Sequence, residues 1–316
     1  MNGNGNVASV KIGTGVSSRR AAIVVVAVLL AGPVFAAGDL PTKFTNTGSI
    51  ANTRHNLTQR PPAAGGPAGA TMDSYRNDYG EVCIYCHTPH GANTTINAPL
   101  WNRTNKGNTY TVYNLIGSQA SGNTVSQPGA NSLTCLSCHD GTVAVDSIIN
   151  MPGSGRYSAA QQTAQDNSFL NTWSNPSGLN AALHLGLDQA GCLSCHIPGS
   201  VPGATATDFT LFALGTDLNN DHPVGIAYPT AAGADFNTPT ATRGNLKFFD
   251  TNGNSRPDKN EVRVYNTGEG YEVECASCHD PHGVGPGAGG SGGPFNKTFL
   301  RVSNSGSGVC LTCHVK

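Results

Sequence analysis

The sequence is poor in charged and aromatic residues and has no excess of basic ones. Only 12% of the 316 residues are charged and 7% are aromatic, and the formal net charge is −1. Nucleic-acid binding is therefore not expected, because it depends on clustered lysine and arginine side chains. Glycine is abundant, with 40 residues. A chain with so few large apolar side chains has difficulty building a hydrophobic core of its own.

Long apolar runs are also missing, apart from residues 21–31, and this run is too short to cross a membrane comfortably. It follows Arg19 and Arg20 and precedes small residues at 34–36, which is the pattern of a signal peptide cleaved after Ala36. Removal of residues 1–36 leaves a mature chain, 37–316, with 15 basic and 19 acidic side chains and no transmembrane segment. We expect a secreted protein, extracellular or on the cell surface, with the periplasm as the alternative.

No cysteine stands alone, because all ten belong to five copies of the pattern Cys-x-x-Cys-His. This pattern is the attachment signature of c-type haem. Its two thiols bond to the haem vinyl groups, and its histidine becomes the proximal ligand of the iron. In chain order, motifs 1 to 5 contain Cys83, Cys86 and His87; Cys135, Cys138 and His139; Cys192, Cys195 and His196; Cys275, Cys278 and His279; and Cys310, Cys313 and His314.

Structural zinc binding and disulfide formation are the two alternative functions of these cysteines. Cys-x-x-Cys pairs also bind structural zinc, but five copies with histidine always in the next position favour haem. A disulfide framework is weaker, because disulfide bonds do not explain the adjacent histidines. The sequence therefore predicts five covalently bound haem c groups.

Five histidines lie outside the motif positions, which equals the number of distal ligands that five six-coordinate irons require. Met72 and Met151 are the substitutes that the sequence offers. If every iron has a distal ligand, none has an open position for a substrate, so an enzyme is not expected. The five predicted distal ligands are His55, His90, His184, His222 and His282.

A loop at 250–261 matches the ligand spacing of an EF-hand calcium loop. Oxygen-bearing side chains occupy its positions 1, 3, 5, 9 and 12, although its glycine is at position 4 instead of 6. An Asx-rich hairpin turn is the alternative, and the sequence leaves both open. The calcium ligands of the first interpretation are Asp250, Asn252, Asn254, Asp258 and Glu261.

The expected fold is a multihaem cytochrome c, mostly coil with short helices and a few short strands wrapped around a chain of five haems. Residues 37–60 form an N-terminal arm that carries His55. A pentahaem domain follows at 61–316, and it begins with a proline- and glycine-rich linker at 61–67. Alternating apolar residues predict strands at 246–249 and 262–265.

The ordered set of motifs resembles the extracellular multihaem cytochromes of metal-reducing microbes, and it is most similar to the tetrahaem, filament-forming OmcE type. The resemblance covers roughly residues 50–316. The segments that carry it are Cys-x-x-Cys-His-Thr-Pro-His-Gly at 83–91, Ala-Pro-Leu-Trp-Asn-Arg at 98–103, Cys-Leu-Ser-Cys-His-Asp-Gly at 135–141, Asp-His-Pro-Val-Gly at 221–225, Cys-x-x-Cys-His-Asp-Pro-His-Gly at 275–283 and the terminal motif at 310–314.

This resemblance implies irons with two histidine ligands and subunits that polymerise, one distal histidine being supplied by the adjacent subunit. Motifs 1, 2, 4 and 5 correspond to the family's four, and motif 3 is an addition with His184 eight residues before it. His55, on its arm, is the first candidate for the ligand donated between subunits. Upstream periplasmic or outer-membrane cytochromes and extracellular electron acceptors are the expected partners, beside the chain itself.

Three functions follow, in decreasing order of support. The first is an electron-transfer cytochrome that polymerises into a conductive extracellular filament. The second is a soluble periplasmic or secreted electron carrier with the same haems. The third is a multihaem reductase, which requires an open iron position, whereas all five motifs end in histidine and five distal candidates are present.

Overall fold

The computed structural model describes residues 45–57, 79, 81–105, 107–113, 125–150, 185–198, 208–229, 235–285 and 296–315. The predicted signal peptide, the linker at 61–67 and His184 lie outside these residues. Most described residues form coil and turns. No helix in these ranges is both long and apolar enough to cross a membrane.

Three short α-helices coincide with Cys-x-x-Cys-His motifs. Helix α1 spans Ala130–His139, α2 spans Cys275–Cys278 and α3 spans Gly308–Cys313. Short 3-10 turns lie at Ile50–Asn52, Cys192–Ser194 and Ser305–Ser307. Each motif thus lies on one tight turn of chain, since Cys83–Cys86 of motif 1 is also a turn.

An antiparallel sheet of five short strands holds the C-terminal half together. Its spatial order is β1-β5-β4-β3-β2. The turn between β2 and β3 has only two residues and begins at Gly244, whose φ of +58° favours glycine. Both strands predicted from the alternating sequence are confirmed, as β3 and β4. The strands are β1 Ile226–Ala227, β2 Ala241–Arg243, β3 Leu246–Phe248, β4 Arg263–Asn266 and β5 Tyr271–Val273.

Hydrophobic packing is divided among small clusters rather than one large core. The largest joins the sheet, through Val264 and Val273, to Val309 and Cys313 of α3. A second contains Leu136 of α1 with Tyr110 and Leu218. Each described cluster contains a residue of one Cys-x-x-Cys-His motif, so the packing helps to position these motifs.

Candidate functional site

Each motif forms a tight turn of the chain. In motifs 1, 3, 4 and 5 the histidine N–H donates to the carbonyl of the first cysteine, over 2.8, 3.0, 3.1 and 2.8 Å respectively. In motif 2 the same five residues form the end of α1. This helical turn brings both cysteines, three residues apart, to one side of the chain with the histidine next to them. The arrangement suits one ligand held by two thiols and an imidazole.

The ten cysteines are all free, and no disulfide joins them. Burial raises the pKa of Cys86 and of Cys313 to about 12, so these thiols are protonated at neutral pH. Among the described residues, no three His, Cys, Asp or Glu side chains are placed to hold a metal ion together. The four ligands of a structural zinc site are not assembled, and a disulfide framework is not formed.

Three of the predicted proximal histidines are held through Nδ1. The Nδ1 of His87 lies 2.8 Å from the Pro99 carbonyl, that of His139 lies 2.6 Å from the Phe212 carbonyl, and that of His279 lies 2.5 Å from the Thr298 carbonyl. A carbonyl only accepts, so each Nδ1 carries the proton and each Nε2 presents its lone pair. This is the tautomer in which an imidazole binds iron through Nε2, its ring fixed by the other nitrogen.

Three predicted distal histidines have the same kind of anchor. The Nδ1 of His55 lies 3.2 Å from the Pro281 carbonyl, and that of His222 lies 3.0 Å from the Pro223 carbonyl. His282 approaches the Asp280 carboxylate at 3.2 Å. Six of the nine described histidines therefore have Nδ1 next to an oxygen acceptor, which leaves Nε2 as the ligating atom.

Two proximal–distal pairs have the spacing that a shared iron requires. The ring centres of His87 and His282 are 6.1 Å apart, and those of His55 and His139 are also 6.1 Å apart. Two imidazoles on opposite sides of one metal ion have ring centres roughly 6 Å apart, because each bond is about 2.0 Å long and the ring centre lies about 1 Å behind the nitrogen. The ring-centre spacing of both pairs is therefore compatible with one iron between the two imidazoles, at motif 1 and at motif 2.

Protonation also suits ligation. Burial lowers the pKa of His87, His139, His222 and His279, with the backbone hydrogen bonds opposing this shift, and metal binding needs neutral imidazole. His222 and His279 are nevertheless exposed. Both observations hold for a ring on the wall of an open crevice, where protein surrounds it on several sides while solvent reaches one edge.

His222 lies within electrostatic range of two motifs. The charge on His314 lowers the pKa of His222 after the larger effect of burial, and the charge on His222 contributes to the lowered pKa of His279. His222 thus lies near the irons expected at motifs 4 and 5. His196 of motif 3 stacks on Phe209, with ring centres 3.8 Å apart.

His55 and His90 differ from the expectation in their surroundings. His55, the first candidate for donation between subunits, lies near His139 of its own chain, where the turn at Ile50–Asn52 and the Pro281 carbonyl hold the arm and the imidazole stacks on Phe299 with ring centres 4.7 Å apart. Its donation between subunits stays a prediction. The side chain of His90 is exposed and, among the described residues, has no partner. Its backbone is fixed, since Asn150 donates to its carbonyl at 3.2 Å.

Sequence reasoning missed two residues that hold the motifs. Arg103 is fully buried and donates to Ser137 and to the carbonyls of Ala144 and Val145. Asp280 is buried between His282 and Arg301, and although burial opposes it, hydrogen bonds from His282 and the charge on Arg301 lower its pKa to about 2. Arg103 is the last residue of the segment at 98–103, which is one of the segments that carry the family resemblance. That position in the sequence could have indicated a role for Arg103.

The loop at 250–261 is closed by hydrogen bonds among the predicted calcium ligands. The Asp250 carboxylate accepts from the N–H groups of Gly253 and Ser255, at 2.7 and 2.8 Å. The side-chain amides of Asn252 and Asn254 both donate to Oδ2 of Asp258. These are the contacts of an Asx-rich turn, and calcium would have to compete for the same oxygens. Calcium binding stays a prediction.

Glu261 accepts hydrogen bonds from residues near both ends of this loop, and we expect Glu261→Gln to destabilise the protein. The carboxylate is fully buried and accepts from the N–H and hydroxyl of Thr251 and from the N–H of Asp258. The amide can replace only part of these contacts, so the expected loss is about 1–3 kcal/mol. Urea unfolding, in calcium and in chelator, measures it. A variant as stable as the parent in both conditions contradicts the assigned role, and a loss confined to calcium buffer identifies a calcium site.

Glu274 couples the stability of the protein to pH. It is almost fully buried at the start of α2, where Oε1 accepts from the Gly129 N–H at 3.0 Å and Oε2 has no partner among the described residues. Burial raises its pKa from 4.5 to about 7. The folded state therefore holds this proton more tightly than the unfolded state, and stability falls as pH rises from about 4.5 to 7.

We expect Glu274→Gln to remove most of this pH dependence. The shift corresponds to a loss on the order of 3 kcal/mol across that pH range in the parent protein. Denaturant unfolding at several pH values, followed by circular dichroism, measures it. Glu269→Gln is the matched control, because that side chain is exposed on a turn. Equal pH slopes in the parent and in Glu274→Gln contradict the prediction.

Comparison with known proteins adds no family. No protein-family model matches the chain, and no curated protein is similar to it. The site is therefore interpreted from its own residues.

Proposed function

We propose that this protein is a pentahaem c-type cytochrome that transfers electrons outside the cell, with histidine on both sides of each iron. The observation that carries the proposal is the pair of imidazole couples at 6.1 Å, His87 with His282 and His55 with His139, each ring anchored through Nδ1. Five Cys-x-x-Cys-His motifs in one chain support the same conclusion.

The residues of the chain hold the haems and set their reduction potentials, and they catalyse no reaction in which bonds of a substrate are made or broken. Each bound haem supplies an iron that exchanges one electron reversibly. The cysteine pairs fix the position of each group, and the anchored imidazoles fix the ligand geometry. Two imidazole ligands stabilise ferric iron more than histidine with methionine does, so low reduction potentials are expected. With both sides of the iron ligated, substrate reduction is disfavoured, and the reductase alternative loses support.

Polymerisation into a conductive filament is the finer part of the proposal, and it assigns a new role to His90. The position of His55 beside His139 of its own chain supports assigning it to the motif 2 iron instead of to an adjacent subunit. His222 lies near both motif 4 and motif 5 but serves only one iron, and His184 precedes motif 3. His90 is the histidine left for the remaining iron, and its exposed side chain suits donation to an adjacent subunit. Upstream cytochromes and extracellular acceptors remain the proposed partners.

The soluble carrier is the second candidate, since the intrachain pairs form equally well in a single molecule. Native electron microscopy separates the two. Regular filaments support the polymer, and discrete particles with every iron low-spin support the carrier. Both candidates require five covalent haems with two histidine ligands each. Intact mass tests the first requirement, since the mature chain must carry five haem masses. Ferric spectra test the second, since every iron must be low-spin. A chain without covalent haem overturns the proposal.

A further inference from the structure

We infer that motif 3 is a side branch held against motif 2, while motifs 1, 2, 4 and 5 form a continuous line that does not need it. The inference rests on the proposed function, because it concerns where the chain holds its five haem-attachment sites. It follows from four sets of contacts, each between two neighbouring motifs.

Motifs 1 and 2 are joined by the segment at 98–103. The Asn102 N–H donates to the Cys86 carbonyl at 2.8 Å, which attaches the segment to motif 1. The next residue, Arg103, donates to the hydroxyl and carbonyl of Ser137, at 3.1 and 2.8 Å, inside motif 2. Asn102 and Arg103 are both fully buried, so these two motifs are held together without contribution from motif 3.

Motifs 2 and 4 meet where two helices begin. The N–H of Cys275, the first residue of motif 4, donates to the Ser132 hydroxyl in α1 at 2.8 Å. The Gly129 N–H at the start of α1 donates to the carboxylate of Glu274 at 3.0 Å. A Cβ on Gly129 would lie 2.6 Å from that carboxylate, so a larger residue here would displace the Glu274 side chain.

Motifs 4 and 5 share the sheet and the segment between them. The Arg301 N–H donates to the Cys278 carbonyl at 2.7 Å. Cys313 of motif 5 then packs in the same apolar cluster as Val273, the last residue of β5, which leads directly into motif 4. Motifs 1, 2, 4 and 5 are thus connected in this order, by hydrogen bonds between motifs 1, 2 and 4 and by a shared apolar cluster between motifs 4 and 5.

Motif 3 attaches to the side of this line at motif 2. The Val145 N–H, after motif 2, donates to the Leu185 carbonyl at 3.2 Å. Gly186 and Gly141 approach so closely that a Cβ on Gly186 would lie 2.5 Å from the Gly141 carbonyl oxygen. The Gly186 carbonyl in turn accepts from the N–H of Cys192, the first residue of motif 3, at 2.9 Å.

A second connection follows motif 3. The Phe209 N–H donates to the His196 carbonyl at 2.8 Å, and Phe212 accepts from Nδ1 of His139. One short segment therefore spans from the histidine of motif 3 to the histidine of motif 2. Both connections lead to motif 2, which makes it the branch point.

The test removes one attachment site at a time from the full exported chain. Cys192→Ala/Cys195→Ala removes motif 3, and Cys275→Ala/Cys278→Ala is the matched control within the line. Intact mass must show four haem masses in each variant. An NMR-monitored redox titration then follows every remaining haem. We expect loss of motif 3 to shift only the midpoint potential assigned to motif 2, whereas loss of motif 4 shifts those of motifs 1, 2 and 5, because the chain that follows motif 4 carries His282, which faces His87 of motif 1.

A second variant guards against failure to fold. His196→Met keeps both cysteines of motif 3, and methionine ligation raises the reduction potential of its iron. We again expect a secondary shift only at motif 2. Shifts at motif 1, 4 or 5 in either motif 3 variant overturn the branch while leaving the proposed function intact. A parent protein without five haem masses overturns the proposed function instead.

Discussion

In His282→Ala, one iron in five is expected to change from low-spin to high-spin while the covalent haem count stays at five. His282 faces His87 with ring centres 6.1 Å apart and nearly parallel planes, at 16°. Alanine removes the imidazole without touching the thiols of motif 1. The iron is then left with His87 alone, which remains held by the Pro99 carbonyl. Ferric absorption and electron paramagnetic resonance measure the change, and intact mass checks the count.

Two further variants sharpen this experiment. Asp280→Asn keeps the imidazole but weakens its anchor, because the carboxylate that faces Nδ1 of His282 becomes a neutral amide. It should leave the iron low-spin and raise its reduction potential, since a carboxylate partner increases the basicity of a histidine ligand. His90→Ala should leave the motif 1 iron unchanged and prevent filament assembly. A wholly low-spin spectrum in His282→Ala contradicts the pairing of His87 with His282.

The tight turn at each of the five motifs could be predicted from the sequence, because it is local. A covalent haem site would need its cysteines and proximal histidine within such a turn, and haem attachment itself stays a prediction. Strands β3 and β4 were also readable, because side chains alternate between two faces of a sheet. Both features depend on neighbours in the chain.

The proposed pairing of distal with proximal histidines could not be predicted from the sequence, because it depends on contacts between segments that are far apart in the chain. His282 follows motif 4 and yet faces the histidine of motif 1. His55, the first candidate for donation between subunits, lies beside His139 and the Pro281 carbonyl of its own chain, and donation between subunits stays a prediction. Nothing in the sequence around either histidine indicates these partners. Only the tertiary structure brings residues so far apart in the chain together.

Arg103→Met is expected to destabilise the protein and to lower the reduction potentials at motifs 1 and 2. The Arg103 guanidinium is fully buried and donates to one hydroxyl and three carbonyls. Among the described residues it has no carboxylate partner. Its loss leaves the Ser137, Ala144 and Val145 carbonyls buried without their donor, at a cost of about 3 kcal/mol or more. Denaturant unfolding measures this term.

The effect on potential follows from the uncompensated charge. Burial raises the pKa of Cys86, and the Arg103 charge partly opposes this rise. Burial lowers the pKa of His139, and the Arg103 charge adds to this fall. The field of Arg103 therefore reaches motifs 1 and 2. A buried positive charge favours ferrous over ferric iron, and a unit charge at roughly 10 Å in a medium of effective dielectric about 20 changes a potential by tens of millivolts.

Arg103→Lys separates the two effects. Lysine keeps the charge but not the planar fork of donors, so stability should fall while the potentials stay near those of the parent. Potentials that fall equally in both variants would show that the hydrogen-bonded geometry, rather than the charge, sets them. Potentials unchanged in Arg103→Met would remove Arg103 from the electrostatics of the site and leave it a purely structural clamp between motifs 1 and 2.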